Sequence, residues 1–447
     1  MSETTRQPNV IWIFGDQHRA QALSCMGDPN VNTPTLDRLM TEGAHFPAAV
    51  AGMPLCCPFR GSLISGLYPH KAVPGHEYQL DLATPTIAGA LGNAGYHTAW
   101  FGKWHLDGWH ERDGRAAMHI VPPERRGGFD VWVGYDNNNA QWDCWVHGGE
   151  GEFAFHRRLD GYETDVLTDM FIDHLRGRTA DAPDRPFFAA LSVQPPHDPY
   201  LAAPTFMRRH NPATLELRPN VPCVDAIQRQ ARRELAGYYA QIENLDANVQ
   251  RVLDALDALG IDDDTWVIFF SDHGDMHGSH GQFRKMTAYE EALRIPFVAW
   301  KRDARYACNR RPVDAPINHV DIAPTTLGLC GVDVPTAMQG YDYSRLIRPG
   351  ASLEDLPDSA FLQSVIPTGH GNSVDRPWRG VVTPDGWKYT CFEHTPWMLY
   401  DLNDDPYEQV NLAHNSIYRN KRRDLNDRLA AWIADTDDAF ALPGGGS

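Results

Sequence analysis

Four stretches of this chain hand out chemically capable side chains directly after apolar runs. NVIWIF, residues 9–14, leads into Asp16, Gln17, His18 and Arg19. YHTAWFG, residues 96–102, leads into Lys103 and His105. PFFAALSV, residues 186–193, runs on to His197 and Asp198, and TWVIFF, residues 265–270, leads into Asp272 and His273. Buried strands that present polar residues at their C-terminal ends are the layout of an α/β active site. A fifth stretch, MPLCCPFRGSLISGLYPH at residues 53–70, sets Cys56 and Cys57 side by side, followed by Pro58 and Arg60. SLISGLY reads as a short helix. A group at its start meets donor amides and the positive end of the helix dipole, a setting that activates a nucleophile or binds an oxyanion.

The cysteine pair has three readings. The two are buried small hydrophobes, or metal or disulfide ligands, or one of them is the reacting group. Eight cysteines (Cys25, Cys56, Cys57, Cys144, Cys223, Cys308, Cys330 and Cys391) are spread over 447 residues without a CxxC pair. That spacing argues against a disulfide framework and against a zinc site. Free cysteine is commonly buried and inert, so burial and chemistry both stay open on composition.

The elements that must position these groups alternate. TPTLDRLMTEG, residues 33–43, reads as a helix capped by Thr33 and ended by Gly43. In residues 83–95, Thr84 is the expected cap, with Pro85 in the first turn and Gly95 as the stop. Residues 110–160, rich in Gly, Trp, Asn and His, read as long loops over the active edge. Residues 163–175 read as an amphipathic helix, and residues 226–259 as a long helix with a break left open, its apolar positions Leu235, Tyr239, Ile242, Leu245, Val249, Val252, Leu256 and Leu259 recurring every three or four residues. RIPFVAW, residues 294–300, is a further strand. The alternation predicts an α/β sandwich with helices on both faces of a sheet. After about residue 355 the texture changes to short strands, with PDG at 384–386 as a hairpin turn, and a closing helix at 420–434. The expected organisation is a catalytic α/β domain over 1–355, a C-terminal α+β subdomain over 356–443 and a linker-like tail at 444–447.

The chain carries 58 acidic and 40 basic residues, a formal charge of -18, which disfavours nucleic acid and acidic membranes as partners. No apolar run approaches 20 residues, so no membrane span is expected. MSETTRQPNV leads straight into a strand without a charged-then-apolar leader, and the expected location is cytoplasmic.

CCPFRGSLISG, residues 56–66, resembles the signature of the formylglycine-dependent sulfatases: Cys, any residue, Pro, any residue, Arg, and a Leu-x-x-Gly-like end. GDQ at 15–17, GKWHL at 102–106, PPHDPY at 195–200, SDHGD at 271–275, Lys285 in GQFRK and LYDLNDDPYEQVNLA at 399–413 match the same family in order, over most of the chain. The resemblance implies an alkaline-phosphatase-like three-layer sandwich with a mixed central sheet. It implies that Cys56 is oxidised to formylglycine by a formylglycine-generating enzyme that reads Pro58 and Arg60, and that one divalent cation sits opposite. The family commonly has two adjacent aspartates at the first motif and Asn after the later Asp, where this chain has Gln17 and His273.

Asp16 and Asp272 are hard oxygen donors, Gln17 offers a carbonyl oxygen and His273 an imidazole nitrogen. These four form the expected metal set. Ca²⁺ is expected, and the two departures, which lower the anionic charge and bring in an imidazole, admit Mn²⁺. The mechanism that the resemblance implies is covalent. One hydroxyl of hydrated formylglycine attacks sulfur or phosphorus, the ester oxygen leaves, and the second hydroxyl loses its proton and expels the oxyanion. Arg60 and Lys103 are expected to neutralise the oxyanion. His105 is the expected base, and His197 and Lys285 are expected at the leaving oxygen. His18, His277 and His280 are expected at the entrance, and His45, His70 and His76 are given no role. GYDNNNAQWDCW, residues 134–145, either faces a polar substrate or is an Asn-rich turn.

The leading expectation is a sulfuric ester hydrolase acting on a small sulfate ester. The alternative is a phosphonate monoester or phosphodiester hydrolase with the same machinery. A homo-oligomer stays open.

Overall fold

The computed structural model describes residues 7–302, 312–347, 355–367, 369 and 374–444. Cys308, the tail beyond Gly444 and the residues just before the expected boundary at 355 lie outside that set. Nine strands form the main sheet: β1 Asn9–Gly15, β2 Ala44–His45, β3 His97–Lys103, β4 Val131–Tyr135, β5 Trp145–Gly148, β6 Phe155–Arg158, β7 Phe187–Val193, β8 Thr265–Ser271 and β9 Phe297–Trp300. Their order is β2-β9-β8-β1-β7-β3-β4-β5-β6. The centre, β8-β1-β7-β3-β4, is parallel, and both flanks are antiparallel. The sheet is therefore mixed, and its parallel strands end on one edge.

Each central strand is buried on both faces, which is why these strands read as unbroken apolar runs. In β1 the pleat sends Val10, Trp12 and Phe14 into one core and Ile11 and Ile13 into the other. The second core is closed by α1 (Pro34–Glu42), α4 (Glu163–Asp181) and α6 (Asp225–Leu259), the first by α2 (Cys56–Ser65), α3 (Ile87–Asn93) and α8 (Ile322–Cys330). Single-turn helices α5 (Pro204–Met207) and α7 (Glu290–Leu293) lie in the connections. The result is the expected three-layer α/β sandwich.

Several local expectations need correcting. Helix α6 runs 35 residues without a break. Helix α3 is capped by Thr86, whose hydroxyl accepts from the Gly89 amide, rather than by Thr84. Thr33 stands before α1 but caps nothing; its hydroxyl serves Asp37 and Ser24. Residues 110–160 hold β4, β5 and β6 as well as loops, because β3 offers β4 a parallel edge that local composition does not announce.

A second sheet, antiparallel and four-stranded, follows: β10 Ala360–Ser364, β11 Trp378–Val382, β12 Trp387–Phe392 and β13 Thr395–Asp401, closed by α9, Arg419–Asp435. Leu425, Leu429 and Trp432 of α9 cover one face. The other face packs on Val50, Ala288 and Leu293 of the main body. Across that seam the Lys388 ammonium, fully buried, reaches Glu290 Oε1 at 3.1 Å and also pairs with Glu408. No described helix is long and apolar enough to cross a membrane.

Candidate active site

The polar ends of β1, β3, β7 and β8 converge on the start of α2. That helix begins at Cys56 itself, about two turns before the SLISGLY start at Ser62: Leu55 is extended, Cys56 is the first helical residue, and Gly66 closes the helix at φ +66°. Pro58 falls in the first turn, where its missing N–H has no intrahelical partner to lose. Beside the site, Gly102 sits at φ +101° in β3, and a Cβ there would lie 2.0 Å from the Ser192 carbonyl oxygen. Only glycine lets β3 approach β7 this closely and still deliver Lys103.

Donor atoms of Asp16, Cys56, Asp272 and His273 lie within 4.8 Å of one another, all buried. His273 Nδ1 is 3.0 Å from the Gly274 carbonyl oxygen, so the ring proton belongs there and Nε2 keeps its lone pair for the cluster. Nε2 stands 3.6 Å from Asp16 Oδ1 and 3.7 Å from Asp272 Oδ1. Those separations are too long for hydrogen bonds, and they match donors arranged about 2.0–2.5 Å from one shared ion. Burial and the neighbouring Asp16 push the Asp272 carboxyl up to about 7, the mark of two carboxylates facing each other where a cation belongs. The residues present fit a divalent cation. Gln17 lies beside them: its Oε1 accepts from Lys285 Nζ at 2.9 Å, and its Nε2 donates to Asp275 Oδ2 at 2.5 Å.

Cys56 Sγ is 3.2 Å from His273 Nε2, 3.5 Å from Asp16 Oδ1 and 3.2 Å from Lys285 Nζ. Burial and Asp16 raise its thiol, but Lys103, Lys285 and His197 outweigh them and leave it at about 7. Cys57 contrasts: it packs in the core with Phe59 and Leu63, and burial pushes its thiol well up. Lys103 Nζ pairs with Asp16 Oδ2 at 2.7 Å. Lys285 Nζ also donates to His197 Nε2 at 2.9 Å, while His197 Nδ1 bonds the Asp198 carbonyl oxygen at 2.7 Å. Burial opposes the charge on Lys285, yet Cys56, Asp16 and Asp272 hold its ammonium above the usual lysine range.

Arg60 departs from its expected place. Its guanidinium lies behind the carboxylates, 3.4 Å from Asp16 Oδ2 and 3.5 Å from Asp272 Oδ2, and Nη1 donates to the Lys103 carbonyl oxygen and Ser192 Oγ at 2.7 and 2.9 Å. Every one of these bonds faces the protein interior.

Above Cys56 is a cavity of about 230 Å³ lined by Lys103, His105, His197 and Lys285, and also by His76, Glu111, Asn137, Asn139, Asp198 and Arg284. His105 is 3% exposed, and neither ring nitrogen has a hydrogen-bond partner. Burial, then Lys103, pushes its imidazole well down, so it stands neutral. His76, given no role by its sequence setting, is part of the wall. His18, His277 and His280 are not: His18 bonds the Ala22 carbonyl oxygen, His277 stands beside Asp275 and His280 stacks on Tyr289. Of residues 134–145, Asn137 and Asn139 reach the cavity, both donating to Glu111 Oε1, whereas Asp136 and Gln141 tie loops together.

The sulfatase family model matches residues 8–332. An ulvan-active sulfatase of Formosa agariphila is 34% identical over 456 residues, covering 97% of this chain and 82% of that protein. The chain is a member of the sulfatase family. An N-acetylglucosamine-6-O-sulfatase of Bacteroides thetaiotaomicron is 26% identical, over 96% of this chain and 86% of that protein. The crystal structure of the yidJ protein from Bacteroides fragilis superposes with a TM-score of 0.86 at 26% identity, covering 98% of both chains. The C-terminal model of N-sulphoglucosamine sulphohydrolase matches residues 278–435. This sulfatase is thus a metal-dependent, sulfuric-ester-type hydrolase, with a divalent-cation cluster beside its active-site cysteine.

The cytoplasmic expectation is overturned. The sulfatases this chain matches are of the periplasmic and extracellular kind, and one, 26% identical over 81% of this chain, is by name an extracellular sulfatase homolog of Drosophila melanogaster. Net charge and the first residues of a sequence carry no reliable record of compartment.

Proposed function

We propose that this sulfatase hydrolyses small sulfate monoesters of hydroxyl-rich alcohols, of the carbohydrate type, with Cys56 converted to formylglycine by a formylglycine-generating enzyme. The observation that carries the reading is Cys56 at the floor of the cavity, with the Asp16–Asp272–His273 donors on one side and Lys285 on the other. Its sulfur marks where the hydroxyl oxygens of the hydrated aldehyde stand.

Asp16, Asp272 and His273, with Gln17 alongside, hold the cation, Ca²⁺ or Mn²⁺. The aldehyde hydrate supplies a nucleophile, and the cation makes it more acidic and polarises the ester oxygens. Lys103 and Lys285 balance the charge of the sulfuryl oxygens. His197, accepting from Lys285 through Nε2, sits with it at the leaving oxygen, and the pair delivers charge and a proton there. His105, neutral and unpartnered, is the base that takes the proton from the second hydroxyl. Arg60 favours the charged form of both carboxylates from behind.

The remaining wall supports the substrate class. Asn137 and Asn139 each give one N–H to Glu111 and accept from Gln194 through Oδ1, so each amide keeps a second N–H and a second lone pair, a donor-and-acceptor wall suited to hydroxyl groups. About 230 Å³ is below the ~300–1,000 Å³ of pockets for larger ligands, which favours a sulfate on one terminal ring. The ulvan-active and N-acetylglucosamine relatives agree with a sugar substrate. The division of the chain near residue 355 belongs to this reading too, supported by the separate four-stranded sheet.

The test is kcat/KM for a monosaccharide sulfate, an aryl sulfate and an aryl phosphonate, each with excess Ca²⁺ and then Mn²⁺. Both sulfates should exceed the phosphonate. Preference for the phosphonate establishes the phosphoryl alternative.

A further inference from the structure

We propose that Cys57, His76 and His105 form a second metal site, for a soft divalent cation of the zinc type, in the wall of the catalytic cavity. Their three ligand atoms lie within 4.8 Å of one another. Cys57 Sγ is 3.9 Å from His76 Nδ1, and the His76 and His105 rings meet edge to face at 5.6 Å. Donors at the ~2.0–2.3 Å of a tetrahedral zinc site stand about 3.5 Å apart, so small side-chain rotations close the set.

Two observations point to a ligand rather than a chance cluster. Both ring nitrogens of His105 are buried without a hydrogen-bond partner, an arrangement that costs free energy unless something else binds them. His76 turns Nδ1 toward Cys57 while its Nε2 faces Glu77 Oε1 at 3.7 Å. At that distance Glu77 acts on the imidazole by charge and not by a hydrogen bond, and a small ring rotation would bring Nε2–H onto it, the way metal-binding histidines are oriented. Glu77 is itself fixed by His110 Nδ1 at 2.6 Å and the Glu111 amide at 2.8 Å.

One thiolate and two imidazoles select zinc-type cations over Ca²⁺ and Mg²⁺, which want oxygen. Cys57 enters as thiolate, its proton passing to solvent, and the Glu77 amide, 3.4 Å away, donates to the sulfur. His76 and His105 both line the cavity, so the fourth position of the ion opens onto the substrate space. An ion there narrows the cavity and inhibits hydrolysis, while the Asp16–Asp272–His273 cluster keeps its own ion. The proposal reaches beyond the sulfate-ester reading: the inhibition, in which the ion also occupies the base His105, rests on that reading, whereas the cobalt spectra test the site without it.

The test uses Co²⁺ as a spectroscopic stand-in, in protein with Cys56→Ala to remove the neighbouring thiol and with excess Ca²⁺ to occupy the aspartate cluster. One equivalent should give a thiolate-to-cobalt charge-transfer band and intense tetrahedral bands. Adding Cys57→Ala should abolish the first band. If that variant fails to fold, Cys56→Ala with His76→Ala carries the same test, with cobalt affinity lowered at least about tenfold. In formylglycine-bearing enzyme, Zn²⁺ should inhibit, and Cys57→Ala should raise the half-inhibiting concentration at least about tenfold. Absence of the band in Cys56→Ala, or an equal band with and without Cys57, overturns the proposal.

Discussion

The Lys285 ammonium stands 3.2 Å from the Cys56 sulfur although 229 residues separate the two in the chain. The loop after β8 folds back to make this contact, and the same ammonium reaches His197 and Gln17. A buried cation touching both the nucleophile position and an imidazole is placed to follow charge as it moves onto a leaving oxygen.

Lys285→Ala should therefore damage poor leaving groups most. Aryl sulfates with acidic phenols should lose little, and alkyl or sugar sulfates about 10²–10³-fold in kcat. The measurement is the slope of log kcat/KM against leaving-group pKa in both proteins. Equal slopes remove Lys285 from the leaving oxygen.

Asp272→Asn should abolish turnover and lower bound Ca²⁺ or Mn²⁺ while leaving circular dichroism unchanged. Parental metal content in that variant contradicts the ligand assignment.

The raised Asp272 carboxyl has a consequence for pH. Its folded value, about 7, lies above the usual carboxylate range, so between about pH 4 and pH 7 the metal-free native state holds a proton that the unfolded chain releases. Stability attributable to this group is present at low pH and lost as pH rises toward 7. Chelated wild type should thus lose stability relative to chelated Asp272→Asn from pH 5 to pH 8, and added metal should stabilise wild type more at pH 8. A constant difference across that range denies Asp272 the shift.

Arg60→Ala should act on stability. It strips the cation from two buried carboxylates, and about 3–5 kcal/mol of unfolding free energy should go with it, read by denaturant titration of unmodified, metal-free protein. A variant of parental stability places Arg60 in the cavity instead.

The sequence showed the site's strand ends clearly, because buried parallel strands such as NVIWIF are continuous apolar runs that stop where the polar residues begin. Asp16, Lys103, His197 and Asp272 were legible for that reason. His76, Glu111 and Arg284 were not. They reach the cavity from loops without periodicity, and their neighbours, such as Glu77 for His76, are contacts that only the fold assembles. Arg60 was legible as part of a motif, but its direction depended on where α2 starts, and a cysteine pair carries no capping signal to place that start. The strands β4 to β6 are not legible because each is four or five residues long and draws its pairing from the strand before it, β4 from β3, β5 from β4 and β6 from β5.

The central claim is that Cys56, and not Cys57, is the reacting residue. Cys56 opens α2 among the cation donors and Lys285, whereas the buried Cys57 turns its sulfur away from them, toward His76 and the Glu77 amide. Cys57→Ala should keep turnover in the absence of zinc at a cost of about 1 kcal/mol in stability, and Cys56→Ala should leave almost none. The most direct measurement is fragmentation mass spectrometry of the 53–60 peptide from active enzyme made alongside a formylglycine-generating enzyme. The account predicts loss of one sulfur and an aldehyde at residue 56, with the thiol of residue 57 intact. Two intact thiols in fully active enzyme, or an aldehyde at residue 57, would contradict it.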